Sequence, residues 1–162
     1  MNRLKSLEKT NAIRVVEQNK IAYNVYDYPH EDGVFVDGQA VAKLLNIDAA
    51  RVFKTILLTS NRKYYVCLVP VLTEIDLKKV ASVLKIKSVE MLHVKDLFSI
   101  TGYVRGGCSP IGMKKKFPTI VDISALNFDK IVFSAGKIGV QLEMNPTDLA
   151  KIVDVKFEMI VR

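Results

Sequence analysis

The 162-residue chain predicts an α/β fold of the α+β kind: a mixed, strongly curved, barrel-like β-sheet with helices packed outside it. Three observations predict it. Helical apolar stripes alternate with runs rich in β-branched and aromatic residues along the chain. A short polar turn, Ser60-Asn61-Arg62-Lys63, joins two such runs as a β-hairpin, so the sheet is not purely parallel. Further strand-like runs pair near the C-terminal end. No internal repeat, low-complexity tract or Pro/Gly/Ser linker interrupts the pattern, and the length suits one domain, residues 1–162.

The elements follow in order. Thr10 caps a helix carrying Ala12, Ile13, Val15 and Val16. Residues 21–28 form a strand. Asp37 caps a helix whose Ala40, Val41, Leu44 and Leu45 make one apolar face. Residues 52–59 and 64–71 are the hairpin strands. Leu77, Val80, Ala81 and Leu84 repeat the apolar stripe after Asp76. A shorter helix covers 95–100 and stops at Gly102. Residues 119–123, 131–134, 138–144 and 155–161 are strands. In 138–144, Ile138, Val140, Leu142 and Met144 alternate with Gly139, Gln141 and Glu143, which predicts one buried and one more polar face. Asn145 and Pro146 read as N-cap and first residue of a helix carrying Leu149, Ala150 and Val153.

A chain of this size buries roughly 70% of its unfolded surface and holds a core without disulfide or metal. Lys and Arg number 24 against 17 Asp and Glu, a net charge of +7. That excess suits a polyanionic partner, since neutralising phosphates releases condensed counterions; a basic soluble protein with no such partner is the alternative. Cys67 and Cys108 make no CxxC, and neither pairs with His30 or His93 at metal-ligand spacing. Two free thiols in a reducing cytoplasm, with no metal and no cofactor, is the simplest reading. Residues 1–10 are polar, without the apolar stretch of a signal peptide. No run of about 18 apolar residues occurs that would span a membrane.

Four places stand out chemically. Lys54 interrupts an apolar strand on the face of Val52, Ile56 and Leu58. An unpaired ammonium is costly to bury. Lys54 therefore either snorkels to an edge or reaches a cavity or an anion. Residues 101–118 hold four of the eight glycines in a segment longer than ordinary loops. A short strand near 103–105 is expected inside it. Within it, Gly106-Gly107-Cys108-Ser109-Pro110 is either a flexible turn or a cradle of backbone N–H donors. Lys114-Lys115-Lys116 follows and gives any groove there a positive rim, or else a solvated face. Ser134-Ala135-Gly136-Lys137 reads as a tight bend between strands, and Asp27, Tyr28, His30, Glu31 and Asp32 as a polar loop cluster. No Ser-centred elbow, Walker loop, dinucleotide fingerprint or HExxH motif is present.

Arg51-Val52-Phe53-Lys54-Thr55, Thr101-Gly102-Tyr103, Gly106-Gly107-Cys108-Ser109-Pro110-Ile111-Gly112 with Lys114-Lys115, and Ser134-Ala135-Gly136-Lys137 occur in that order. Together they resemble the YbaK/EbsC family of Cys-tRNA(Pro) deacylases, related to the editing insertion domain of prolyl-tRNA synthetases. The likeness runs from about residue 10 to 161. It implies removal of a mis-attached amino acid from tRNA in trans, with aminoacyl-tRNA as substrate and prolyl-tRNA synthetase as a possible docking partner. Lys54 matches the family's essential lysine. Gly106 and Pro110 match its G-x-x-x-P loop, which with Gly107 would set amides against the substrate carbonyl. Tyr28, Thr55 and Ser134 match pocket residues, and Cys108, Ser109 and Gly136 lie beside them. Lys114, Lys115, Lys116 and Lys137 would face tRNA.

The implied chemistry uses the substrate cysteine's own thiol to attack its ester carbonyl. Such an intramolecular attack avoids a large entropic cost. It leaves the protein to position the aminoacyl end and stabilise the oxyanion. The sequence departs from the family at Ala135, usually glycine, at Ile138, often basic, and at Cys108, usually aliphatic. Two alternatives stay open at this point: a sister deacylase for alanine or another small residue, and a non-catalytic tRNA- or synthetase-binding module.

Overall fold

The computed structural model describes residues 9–31 and 33–162; Met1 to Glu8 and Asp32, the last read above as part of a polar cluster, lie outside the described residues. Five helices are described: α1 (Asn11–Gln18), α2 (Gly38–Leu45), α3 (Leu77–Leu84), α4 (Val94–Thr101) and α5 (Pro146–Leu149). The strands are β1 (Tyr23–Asp27), β2 (Phe53–Ser60), β3 (Lys63–Pro70), β4 (Glu90–Met91), β5 (Thr119–Asp122), β6 (Ile131–Lys137), β7 (Val140–Met144) and β8 (Val155–Glu158). No described helix is long and apolar enough to cross a membrane.

The caps predicted at Thr10, Asp37 and Asn145 form, and Asp76 supplies another. Thr10 Oγ1 accepts from the Ile13 amide, Asp37 from Ala40, Asp76 from Lys78 and Lys79, and Asn145 from Thr147. Each satisfies a donor that a helix start leaves unpaired, an effect of ~1 kcal/mol. Gly102 closes α4 in the left-handed region. Asn61 and Arg62 both have positive φ, as the two central residues of a tight I′ hairpin turn require, so β2 and β3 pair in full register from Phe53↔Pro70 to Ser60↔Lys63.

The mixed α/β class holds, but the single barrel-like sheet does not. The strands form two sheets among the described residues, a three-stranded one in the order β1-β7-β6 and a five-stranded one in the order β4-β2-β3-β5-β8. The first is antiparallel; in the second, β3, β5 and β8 run parallel. They touch through a parallel bridge from Val52 to Val132. The break comes where Arg51 and Val52 leave a 3-10 turn at Ala49–Arg51 and the chain swings into β2.

Alternation sorts the core into layers. Phe53, Leu57, Val66, Leu68 and Val121 face inward toward Phe133, Val140 and Leu142 of the first sheet, with α1 covering them. Leu58, Tyr65, Cys67, Val69 and Ile120 point the other way, onto Val80 and Ala81 of α3. The other face of the first sheet is covered by α2, where Ala42 packs with Val52, Val132 and Tyr26.

Two local expectations are revised. The helix after Asn145 stops at Leu149 after one turn and does not reach Val153. Residues 103–105 form no strand: the chain turns there, with the Gly107 amide donating to the Val104 carbonyl at 2.9 Å. The more polar face of β7, with Gln141 and Glu143, is not open to solvent, because all five residues of the strand are buried. Glu143 is 4% exposed there and tolerates it through partners. Arg51 Nη1 donates to its Oε2 at 2.7 Å, Tyr26 Oη to the same oxygen at 3.0 Å, and Asn24 Nδ2 to Oε1 at 2.8 Å.

Burial alone would raise the Glu143 carboxyl, but hydrogen bonds from Arg51, Asn24 and Tyr26 outweigh it and hold it below its ordinary value of 4.5. A carboxylate with a depressed folded-state pKa stabilises fully above its unfolded value and loses that contribution as pH falls through the folded one. Arg51→Ala strands this charge. Discounting for the partly exposed guanidinium, the cost is about 2 kcal/mol. We predict a melting temperature lower by roughly 4–8 °C at pH 7. Calorimetry across pH checks it: the gap between wild type and variant shrinks as pH falls below the carboxyl's ordinary range.

Candidate functional site

A cavity of about 550 Å³ opens where the two sheets meet. That volume lies in the range of small-ligand sites. Its walls come mainly from the segment before α2 and the helix's first turn, the start of β2, the Gly-rich segment, and the outer face of the first sheet, with Val71 and Met91 beside β2.

Lys54 is the second residue of β2 and lies on the alternation face of Ile56 and Leu58. At this end of the strand that face is no longer covered by α3. The side chain is half-buried and lines the cavity. Its Nζ donates to the Thr73 carbonyl at 3.0 Å. Thr73 is itself pinned, with Oγ1 donating to the Pro70 carbonyl at 2.7 Å. The ammonium is thus held by one carbonyl at the cavity wall.

Tyr28 and Thr55 line the same space. Tyr28 is 4% exposed, and its backbone amide donates to the Gly139 carbonyl at 2.9 Å. The Tyr28 hydroxyl and Thr55 Oγ1 are buried polar atoms without a hydrogen-bond partner among the described residues. Leaving such a group unsatisfied costs about 1–3 kcal/mol.

Ser134 reaches the cavity through an irregularity in β6. The segment Ser134-Ala135-Gly136-Lys137 is not the bend between strands; that turn is at Ile138 and Gly139. Instead β6 carries a bulge, with a register shift between Ser134 and Lys137. Bulges re-aim side chains near functional sites. Thr10 Oγ1 donates to the Ala135 carbonyl at 2.6 Å, so the cap of α1 also anchors this bulge. Ser134 Oγ accepts from the Gly136 amide at 3.1 Å, and Gly136 packs on the Tyr103 ring.

Gly106 and Cys108 line the cavity, whereas Gly107, Ser109 and Pro110 stand behind it. Gly106 has φ +83°, and a Cβ there would press on the Phe35 ring. A Cβ on Gly107 would meet backbone atoms of Lys137 and Ile138 at 3.0–3.3 Å. The double glycine thus lets the loop lie directly on the β6–β7 turn. Ser109 Oγ is turned inward and accepts from the Ile111 amide at 3.3 Å. Tyr103 is buried, and its hydroxyl donates to the Ile111 carbonyl at 2.6 Å, fixing the segment from below. Pro110 and Lys116 line a separate hollow, shared with Lys115. Lys114 and Lys115 border a groove away from the cavity. Lys137 ends β6 and is exposed.

Sequence reasoning missed several wall residues. Phe35 is 43% exposed at the cavity, and the Arg105 guanidinium lies 4.4 Å from its ring centre. Gln141 is almost fully buried and lines the cavity from β7, opposite Ser134. An amide within an apolar strand was a signal for Gln141; nothing local marked Phe35 or Arg105. No group of three or more His, Cys, Asp or Glu side chains suited to a metal ion occurs among the described residues.

Comparison with known proteins bears on this site. A family model for the aminoacyl-tRNA editing domain matches residues 36–152. An Enterococcus faecalis relative named as a Cys-tRNA(Pro)/Cys-tRNA(Cys) deacylase, EbsC, is 42% identical over 158 residues, covering 97% of this chain and 96% of its own. The fold is similar to that of a solved structure described as a trans-editing enzyme for prolyl-tRNA synthetase. Their TM-score is 0.82 at 16% identity, covering 96% of this chain and 99% of that one. A scaffold protein used in epitope grafting is similar too, with TM-score 0.82, 18% identity and coverage of 96% and 99%.

Two consequences follow for the side chains. Tyr28→Phe and Thr55→Val each remove an unsatisfied hydroxyl. We predict that chemical denaturation will show neither losing more than about 0.5 kcal/mol, with a gain of up to ~1 kcal/mol allowed. Burial pushes the Cys108 thiol up to about 12, and burial does the same to Cys67. Both should therefore resist a chromogenic disulfide reagent at pH 8 in the native protein. Both should titrate on unfolding, because the thiolate is the reactive form.

Proposed function

The chain belongs to the aminoacyl-tRNA editing family, and from that premise we propose how its cavity removes cysteine from Cys-tRNA(Pro) as a trans-acting deacylase. The observation that carries the reading is the gathering of Lys54, Tyr28, Thr55, Gly106 and Ser134 around one cavity. The two unpaired hydroxyls among them supply polar contacts for a ligand.

The protein's task is positional. The aminoacyl ester enters with its terminal ribose toward Lys54, which has donors left after serving the Thr73 carbonyl. The substrate thiolate attacks the ester carbonyl carbon. A C–S bond forms, the C–O bond to the ribose breaks, and the departing 3′ oxygen takes a proton. The cyclic thioester then opens to water. Negative charge collects on the carbonyl oxygen during the attack, and backbone amides of the Gly-rich segment are suited to receive it. The Gly107 amide is engaged by Val104, so the role falls to its neighbours Gly106 and Cys108. Burial raises the Cys108 thiol and so disfavours its thiolate, which leaves the nucleophile's part to the substrate thiol.

The reading places the protein in the cytoplasm, in keeping with two free cysteines. We further infer that prolyl-tRNA synthetase directs it to tRNA(Pro). The chemical need is plain: a synthetase pocket rejects a residue of similar size only by about 10–200-fold, so a second site must edit.

Single-turnover release of cysteine from Cys-tRNA(Pro) tests the reading. Lys54→Ala should slow it by roughly 100-fold or more, with the circular dichroism spectrum unchanged. Replacing the substrate with 2-aminobutyryl-tRNA(Pro), which lacks the thiol, should have a comparable effect; equal rates would sink the thiol mechanism. Repeating the assay without the synthetase should erase the preference for tRNA(Pro).

A further inference from the structure

A second concavity, of about 630 Å³, lies at the far end of the β2–β3 hairpin from Lys54. One wall is the hairpin turn and the start of β3: Arg62, Lys63, Tyr64 and Tyr65. The other wall is the end of α4, with Ser99 and Ile100, and the run that leaves the Gly-rich segment, with Lys114, Lys115, Phe117 and Pro118. Among the described residues, four cations line it and no carboxylate does. None of the four has an ion-pair partner among the described residues.

The groove is ordered as well as charged. Arg62 sits in the left-handed region of a two-residue turn, which fixes where its side chain starts. Lys114 Nζ donates to the Ser99 carbonyl at 3.3 Å and lies 5.3 Å from the Phe98 ring centre, so it is braced against α4. Tyr64 and Phe117 meet edge to face, with ring centres 5.7 Å apart, and form an apolar floor between the two pairs of cations. Cations on both banks of an aromatic floor suit a ribose–phosphate strand: phosphates take the banks, and sugar or base edges take the floor.

We propose that this groove binds the RNA backbone of the substrate's acceptor arm, apart from the aminoacyl end in the cavity. The proposal rests on the aminoacyl-tRNA reading for the identity of the RNA. Lys54 and Ser60 are six residues apart on one extended strand, a span of ~20 Å. That corresponds to about six stacked nucleotides at 3.4 Å each. The groove therefore meets the paired stem while the 3′ end reaches toward the cavity.

The test is fluorescence anisotropy with uncharged tRNA(Pro) and the full chain, over a series of salt concentrations. Arg62→Ala/Lys63→Ala and Lys114→Ala/Lys115→Ala should each weaken binding about 10-fold at low salt. Each should also reduce the slope of log K against log salt by ~1.8, two phosphate contacts' worth. Arg62→Lys/Lys63→Arg, which keeps the charge, should retain most of the affinity. Unchanged affinity and slope in both alanine pairs, with unchanged melting temperatures, would overturn the proposal and leave the groove to an acidic protein surface. Deacylation by the wild type is scored separately. A wild type that cleaves the ester while its RNA affinity ignores all four residues sinks the groove alone. A wild type that fails to cleave but binds RNA through them sinks the deacylase reading and upholds the groove.

Discussion

Glu143 sits on a strand with no open face, and the site depends on how its charge is accommodated. Arg51 reaches it from the residue just before Val52, the point at which the chain bridges to the first sheet and enters β2. The ion pair therefore does more than neutralise a carboxylate. It clamps the beginning of the strand that carries Lys54 and Thr55 against the sheet that carries Ser134 and Gln141. A buried pair contributes little net stability relative to apolar packing, but losing one partner is costly. That asymmetry suits a seam whose geometry matters more than its strength. Asn24 and Tyr26 complete the shell, so β1 is held at the same point.

A second constraint acts from the opposite side of the cavity. The double glycine lets the long loop rest on the β6–β7 turn with backbone against backbone, and Tyr103 supports both the loop and the bulge. The bulge is in turn tied to the cap of α1. Three distant parts of the chain thus set the position of Ser134. An N–H cradle without such support would be only a flexible turn, the bland reading that Gly-Gly invites. Here packing holds the segment in one conformation against the β6–β7 turn.

This also explains what was legible in the sequence. Caps, apolar stripes and the Asn61-Arg62 turn are local signals, and helices and strands appear where those signals stand. Lys54 was legible because an ammonium in an apolar strand is a conflict needing a cause, and the cavity with the Thr73 carbonyl supplies it. The Gly-rich run and the Ser134 segment were legible through their resemblance to a family. The split into two sheets was not, since it depends on a long-range bridge and an ion pair 92 residues apart in sequence. The burial of the more polar face of β7 was hidden for the same reason: Gln141 and Glu143 alternate with apolar residues as read, but it takes α2 and Arg51 to cover them. Phe35 and Arg105 were invisible because their significance is mutual, a ring and a guanidinium brought together by two loops.

The layout separates two tasks that make opposite physical demands. Recognising a thiol-bearing residue requires a tight, partly desolvated space, where a misplaced polar atom is costly and a buried thiol such as Cys108 stays inert. Holding a polyanion requires exposed cations that remain hydrated and act at long range. Combined in one pocket, the cations would draw in water and phosphate and blunt discrimination between side chains. Apart from Lys54, which a carbonyl restrains, the only basic wall residue of the cavity among the described residues is Arg105, held against the Phe35 ring at the surface. The four unpaired cations of the groove lie at the other end of the hairpin. The stiff β2–β3 ladder fixes the distance between the two, so an arm seated on one presents its end to the other at a set reach.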